Sequence, residues 1–273
     1  MSSAADSFDI ELELLIEAIL VRFQFDFRQY SRSSLRRRLT HAMARFDVHS
    51  LSALQEKVLH EEDFFPQLLA YLTVNTTELF REPESWASLT KNVFPYLATY
   101  PSLKLWVAGC STGEEIITLS ILLQEAGLKK FVIYATDINP MNLEVARRGI
   151  YASDVIPKAQ KNYKLAGGKS TLSEYFESAY DSVKFSPALL KNVVFSDHSL
   201  ATDSVFSEMH LITCKNVLIY FERPLQDRVF RLFNDSLVRG GFLSIGNKET
   251  ISFSSVAQKF KVIDPSHRVY QKL

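Results

Sequence analysis

The sequence predicts an α/β protein: a doubly wound parallel sheet, preceded by a small all-helical domain and interrupted by a small inserted subdomain. Three observations predict it. Residues 8–72 lack glycine and hold one proline, Pro66, while apolar residues recur there at helical spacing. From about Lys104, short apolar runs alternate with amphipathic stretches, as in a sheet covered by helices on both faces. Over residues 150–190 that alternation stops.

In the first region Ile10, Leu14, Leu15, Ala18 and Ile19 form one apolar series, and Leu51, Leu54, Val58 and Leu59 another. Residues 1–72 are assigned to the helical domain, 73–95 to a linker, and 96–273 to the sheet domain, with the insertion at about 152–190. Strands are expected at Leu105–Ala108, Phe131–Thr136, Val193–Ser196, His210–Cys214 and Phe242–Ile245, and helices at Glu114–Glu125, Met141–Arg148 and Pro224–Leu237. Lys261–Asp264 and Arg268–Lys272 read as an antiparallel pair.

The chain has 273 residues and a formal net charge of zero, which counts against general nucleic-acid binding, since that needs surplus cations to displace counterions. Two lone cysteines, Cys110 and Cys214, make neither a disulfide framework nor a metal site; they suit buried positions in a reducing compartment. The six histidines show no metal-ligand spacing, and no metal is expected. Without a long apolar run, and with acids at Asp6, Asp9, Glu11 and Glu13, the chain is expected to be cytoplasmic, monomeric and not inserted in a membrane.

Strand Leu105–Ala108 runs into Gly109-Cys-Ser-Thr-Gly113-Glu114-Glu115. Glycines in the first such turn let the backbone approach a ligand closely. The G-x-x-x-G spacing is not the G-x-G-x-x-G of dinucleotide sites, and carboxylates in the first helical turn would repel a pyrophosphate. They favour a cationic ligand, such as the sulfonium and ammonium groups of S-adenosylmethionine. Complementing the helix dipole accounts equally well for Glu114, which stays unassigned. Asp137, at the end of the next strand, suits a ribose diol, both of whose hydroxyls it would accept, or a helix N-cap.

Four motifs in order then resemble the CheR-type chemotaxis methyltransferases: Asn75-Thr-Thr77-Glu-Leu-Phe-Arg81-Glu, Gly109–Glu115, Ala135-Thr-Asp137-Ile, and Cys214-Lys-Asn216-Val-Leu-Ile-Tyr220-Phe. The resemblance covers nearly the whole chain. It implies a Rossmann-like methyltransferase sheet, with S-adenosylmethionine as cofactor, S-adenosylhomocysteine as product and receptor glutamates as methyl acceptors. It implies cofactor contacts from Asn75, Thr77, Arg81, Glu115, Asp137, Ser199, Leu200, Lys215 and Asn216, and catalytic roles for Arg81 and Tyr220. Ser199 replaces the usual Asn and Lys215 the usual Arg, so an altered cofactor affinity is expected. Asn75 and Thr77 alternatively cap a helix entering Glu78, and Arg81-Glu82 alternatively form a surface ion pair.

Arg28, Arg32, Arg36, Arg37, Arg38 and Arg45 form a basic run. Such a run is commonly a solvated face. The resemblance implies a docking helix for the acidic, glutamate-bearing helices of a chemoreceptor or other signalling protein, with Arg32, Arg36, Arg37 and Arg38 as its contacts. A glutamate is ionised at neutral pH, so methyl transfer to it needs no general base. Two competing readings are a small-molecule methyltransferase and a non-catalytic S-adenosylmethionine-binding module.

Overall fold

Amphipathic spacing and local caps set the first helices of the computed structural model, which describes residues 6–273. The chain divides into two units: residues up to Val74 with Tyr220–Gln226, and Asn75–Ile219 with Asp227–Leu273.

The first unit holds α1 (Ser7–Phe23), α2 (Arg32–Arg45), α3 (Leu51–His60) and α4 (Phe64–Leu72). Asp6 caps α1 and Ser50 caps α3 by accepting hydrogen bonds from the first-turn amides of Phe8 and Ala53. Glu11 on α1 also accepts from Leu51 N at 2.8 Å, pinning α3 to α1. The buried stripe of α1 is Leu12, Leu15, Ile16 and Ile19. Ile10 and Leu14, placed in that stripe by the sequence pattern, are 52% and 54% exposed. Apolar residues follow the helical period on two faces of α1, and the pattern does not say which face packs.

In the second unit, α5 (Pro83–Asn92) and α6 (Phe94–Leu97) precede β1 (Leu103–Ala108), α7 (Glu114–Glu125), β2 (Phe131–Asp137), α8 (Pro140–Arg148), β3 (Ile150–Ala152), α9 (Ile156–Leu165), β4 (Phe176–Ala179) and β5 (Ser182–Phe185). Then come β6 (Val193–Asp197), β7 (Met209–Cys214), α10 (Arg223–Ser236), β8 (Leu237–Ile245), β9 (Phe260–Asp264) and β10 (Val269–Lys272). The main sheet has the order β6-β2-β1-β7-β8-β10-β9. Its first five strands are parallel, and β10 runs antiparallel to both β8 and β9. This is a doubly wound, Rossmann-like sheet, with the order reversing between β1 and β7.

Alternation along β1 divides the core. Leu105 and Val107 pack with Trp86, Leu89, Ile117 and Ile121 on one face. Trp106 meets Phe233 of α10 on the other, with ring centroids 5.4 Å apart. Residues 83–95, read from the sequence as linker, are thus α5, α6 and part of this core. No described helix is long and apolar enough to cross a membrane.

The insertion contains a three-stranded antiparallel sheet, β3-β5-β4, and helix α9. One carboxylate staples it to α7. Glu125 accepts hydrogen bonds from the Tyr163 hydroxyl, from the Tyr175 hydroxyl at 3.0 Å and from Lys169 N at 3.1 Å. Glu125→Ala is expected to lower unfolding free energy by about 1–3 kcal/mol, because half-buried donors lose their shared acceptor. A urea midpoint equal to that of the parent would exclude the staple.

Candidate active site

In an open α/β sheet, ligands bind beyond the carboxyl ends of the strands, where the strand order reverses. Four adjacent strands bring the expected residues to that rim. Strand β1 leads to Glu115, β2 ends at Asp137, β6 leads to Ser199 and Leu200, and β7 leads to Lys215 and Asn216. The β6 end is tied to the β2 end by His198 N donating to the Asp137 carbonyl at 3.2 Å.

The glycines of the first loop serve the protein's own packing. Gly109 (φ +73°) and Gly113 (φ +98°) both need the left-handed region. A Cβ on Gly109 would lie 2.6 Å from Val217 Cγ2, and one on Gly113 would lie 2.8 Å from Ala146 Cβ. The space a Cβ would need is filled by β7's exit and by α8, so both positions require glycine.

Asp137 is buried, and its carboxylate organises the loop. It accepts from Ser111 N at 2.8 Å, Asn139 N at 2.9 Å and the Asn142 amide at 3.1 Å. Asn139, not Asp137, caps α8. Burial pushes the Asp137 carboxyl above its ordinary range, opposed by these three donors. A carboxylate offers about four acceptor sites, so one remains, on Oδ2. Both ribose hydroxyls cannot bond there without displacing a protein donor.

Glu115 lies in the first turn of α7, beside the loop. Its Oε1 is enclosed and has no hydrogen-bond partner among the described residues, and the same holds for Ser111 Oγ, Ser199 Oγ and Asn216 Oδ1. Burial pushes the Glu115 carboxyl up to about 7, against the pull of the Lys215 ammonium. Orphaned buried acceptors are rare, and although others lie elsewhere in the sheet unit, these four belong to residues at or just beyond the carboxyl ends of the strands. A ligand with ammonium and hydroxyl donors satisfies them, so the residues fit S-adenosylmethionine. Lys215 itself is buried, donates to Ser85 Oγ at 2.6 Å and lies 5.3 Å from the Trp86 ring centroid. Burial lowers its pKa, with Glu115 the leading opposing charge.

Asn75 Oδ1 accepts from Asn142, whose amide also reaches Asp137, joining the Asn75–Arg81 segment to the rim. No helix begins at Glu78; α5 starts at Pro83, so a capping role for Asn75 and Thr77 is excluded. Arg81 and Glu82 are not an ion pair. Arg81 donates to the Thr76 carbonyl at 3.0 Å, while Glu82 accepts from Asn216 Nδ2 at 3.2 Å and Asn247 N at 3.1 Å. Phe80, Glu82, Ser111 and Asn216 are four of the eight non-glycine residues at positive φ among those described. Left-handed backbone of this kind collects at functional sites.

Glu249 escaped the sequence reading. Buried, it accepts four backbone amides, from Gly246 at 2.6 Å, Leu218 at 2.7 Å, Asn216 at 3.1 Å and Ile219 at 3.3 Å. It holds the β7 and β8 exits together and so positions Asn216. Asn142, Glu82 and Ser85 were also missed. Asn142 sits in the first turn of an ordinary helix, and no local signal marks the others.

Tyr220 belongs to the helical unit, where its carbonyl accepts from Ser31 N at 2.8 Å. The Arg38 guanidinium lies 4.9 Å from its ring centroid. Arg38 is buried, donating to the Leu72 carbonyl and to Ser34 Oγ, so the docking contact expected of it is corrected to a packing role. Arg32 pairs with Glu13 at 2.5 Å and Arg36 with Asp9 at 2.6 Å. Arg37 is exposed and pairs with no acid among the described residues. The acids of α1 thus neutralise half of the expected face.

Comparison with known proteins shows the family. The family described as CheR methyltransferase, SAM binding domain, matches residues 75–269, and the one described as CheR methyltransferase, all-alpha domain, matches 10–73. A Pseudomonas putida protein named Cher3 is 48% identical over 97% of both chains. The chemotaxis protein methyltransferase of Listeria innocua is 28% identical over 89% of this chain and 92% of its own. Chemotaxis protein methyltransferase 1 of Vibrio cholerae is 28% identical over 91% of this chain and 90% of its own.

Proposed function

Because the chain belongs to the CheR methyltransferase family, and so is an S-adenosylmethionine-dependent methyltransferase, we propose that it methylates glutamate side chains of a chemotaxis receptor or related signalling protein. The names of its relatives support a role in chemotaxis. One observation carries the choice of acceptor: Arg81 pairs with no acid among the described residues, and an acceptor carboxylate supplies the charge it lacks.

When bound, the cofactor supplies a methyl group made electrophilic by its sulfonium. The protein's part is to hold and orient. In this reading Glu115 and Asn216 take the ammonium end, Asp137 a ribose hydroxyl, and Ser199 and Leu200 the adenine end. Arg81 aligns the acceptor oxygen, and such positioning is worth up to about 7–11 kcal/mol of the barrier. Incubation with labelled cofactor and receptor should give base-labile methyl ester on protein, and Arg81→Ala should cut turnover by about tenfold. Label on small molecules alone, or full turnover by Arg81→Ala, would contradict the reading.

Glu115 makes binding pH-dependent. A ligand ammonium favours its ionised form, and the free carboxyl titrates at about 7. Affinity for S-adenosylhomocysteine should therefore be level above that value and weaken below it, approaching about tenfold per unit. Calorimetry across about pH 5.5 to 8.5 measures this. A flat profile would separate Glu115 from the ammonium, and Glu115→Gln should abolish the slope.

A further inference from the structure

The sheet unit contains a cavity of ≈ 380 Å³ where the end of α8, the strand β5 and the approach to β6 meet. None of the rim residues lines it. Arg147, Arg148, Lys184 and Lys191 do, with Ile150 and Pro187 among its apolar walls. Arg147 is committed, bonded to Glu144 at 2.9 Å. Arg148, Lys184 and Lys191 are exposed and pair with no acid among the described residues. Glu177 stands opposite Lys184 in the β4–β5 register but makes no ion pair with it and does not line the cavity.

We propose that this cavity is a second ligand site, for a small phosphate-bearing molecule with an apolar ring, of the nucleotide class. Arg147 and Arg148 complement the helix dipole, which accounts for their presence at the end of α8. It does not account for Lys184 and Lys191, which come from other segments. Three uncompensated charges around one small volume exceed what a single carboxylate neutralises. A di- or triphosphate concentrates that much charge in one group, and guanidinium and ammonium are its usual partners. Ile150, 43% exposed and beside Lys184 in register, offers with Pro187 a surface for the ring.

The test is calorimetric titration with ATP of protein already saturated with S-adenosylhomocysteine, so that the cofactor rim is filled. Saturable binding is expected, weakened about tenfold or more by Lys184→Glu or Lys191→Glu. Both variants should keep the parent's thermal midpoint and S-adenosylhomocysteine affinity, since the altered side chains are exposed. Absent saturable ATP binding, or binding indifferent to both reversals, would overturn the proposal. Inorganic pyrophosphate binding as tightly as ATP would overturn the part given to the apolar wall.

Discussion

Asp137→Ala is expected to weaken S-adenosylhomocysteine binding by about tenfold to hundredfold and to lower stability by about 2–4 kcal/mol. The two effects have separate causes. Stability falls because Ser111 N, Asn139 N and the Asn142 amide lose their acceptor, and all three belong to buried residues. Affinity falls because the one remaining acceptor site on Oδ2 is the one a ribose hydroxyl can use. Asp137→Asn should share both losses, since its amide turns a donor toward donors that the carboxylate accepted. Calorimetry with urea unfolding separates the terms. A variant that loses stability but keeps its affinity would leave Asp137 as a loop organiser without ligand contact.

Glu249→Ala should be the most destabilising single change near the site, by about 3–5 kcal/mol, although Glu249 is not assigned to touch any ligand. Four backbone amides would lose one shared acceptor in a place water enters poorly. The packing around the carboxylate is tight: a Cβ on Gly246 would lie 2.8 Å from Asn216 N and from Glu249 Oε2. Glu249→Gln should recover only part of the loss, as one carbonyl oxygen cannot replace two carboxylate oxygens. Cofactor affinity should fall in step with stability, because Asn216 sits at φ +60° on the segment Glu249 holds. An Ala variant as stable as the parent in urea would show that the four amides find other partners.

The insertion shows how a local signal fails. Its strands are three or four residues long, and β4 and β5 turn through Tyr180 at φ +54°, with neither glycine nor asparagine to mark the hairpin. Alternation over so few residues is indistinguishable from chance. In α2 the failure has another cause. The four-residue spacing of Arg32 and Arg36 is legible, but the acids that neutralise them lie on a different helix, and Arg38 is drawn inward by Ser34 and the end of α4.

By itself the sequence determined the α/β class, the alternation that builds β1, β2 and β7, and the residues their carboxyl ends carry to the rim. Each of these is written in short-range order: period two or period 3.6, a glycine at a turn, an acid after a strand. The tertiary structure alone decided which atoms those residues engage. Asn216 meets Glu249 and Glu82 from 33 and 134 positions away, and Lys215 meets Ser85 across 130. Such partners are joined by sheet order and not by spacing. The glycine loop, legible from the start by its spacing, owes both glycines to partners that only the fold brings up: Val217 and Ala146 leave no room for a Cβ at Gly109 or Gly113.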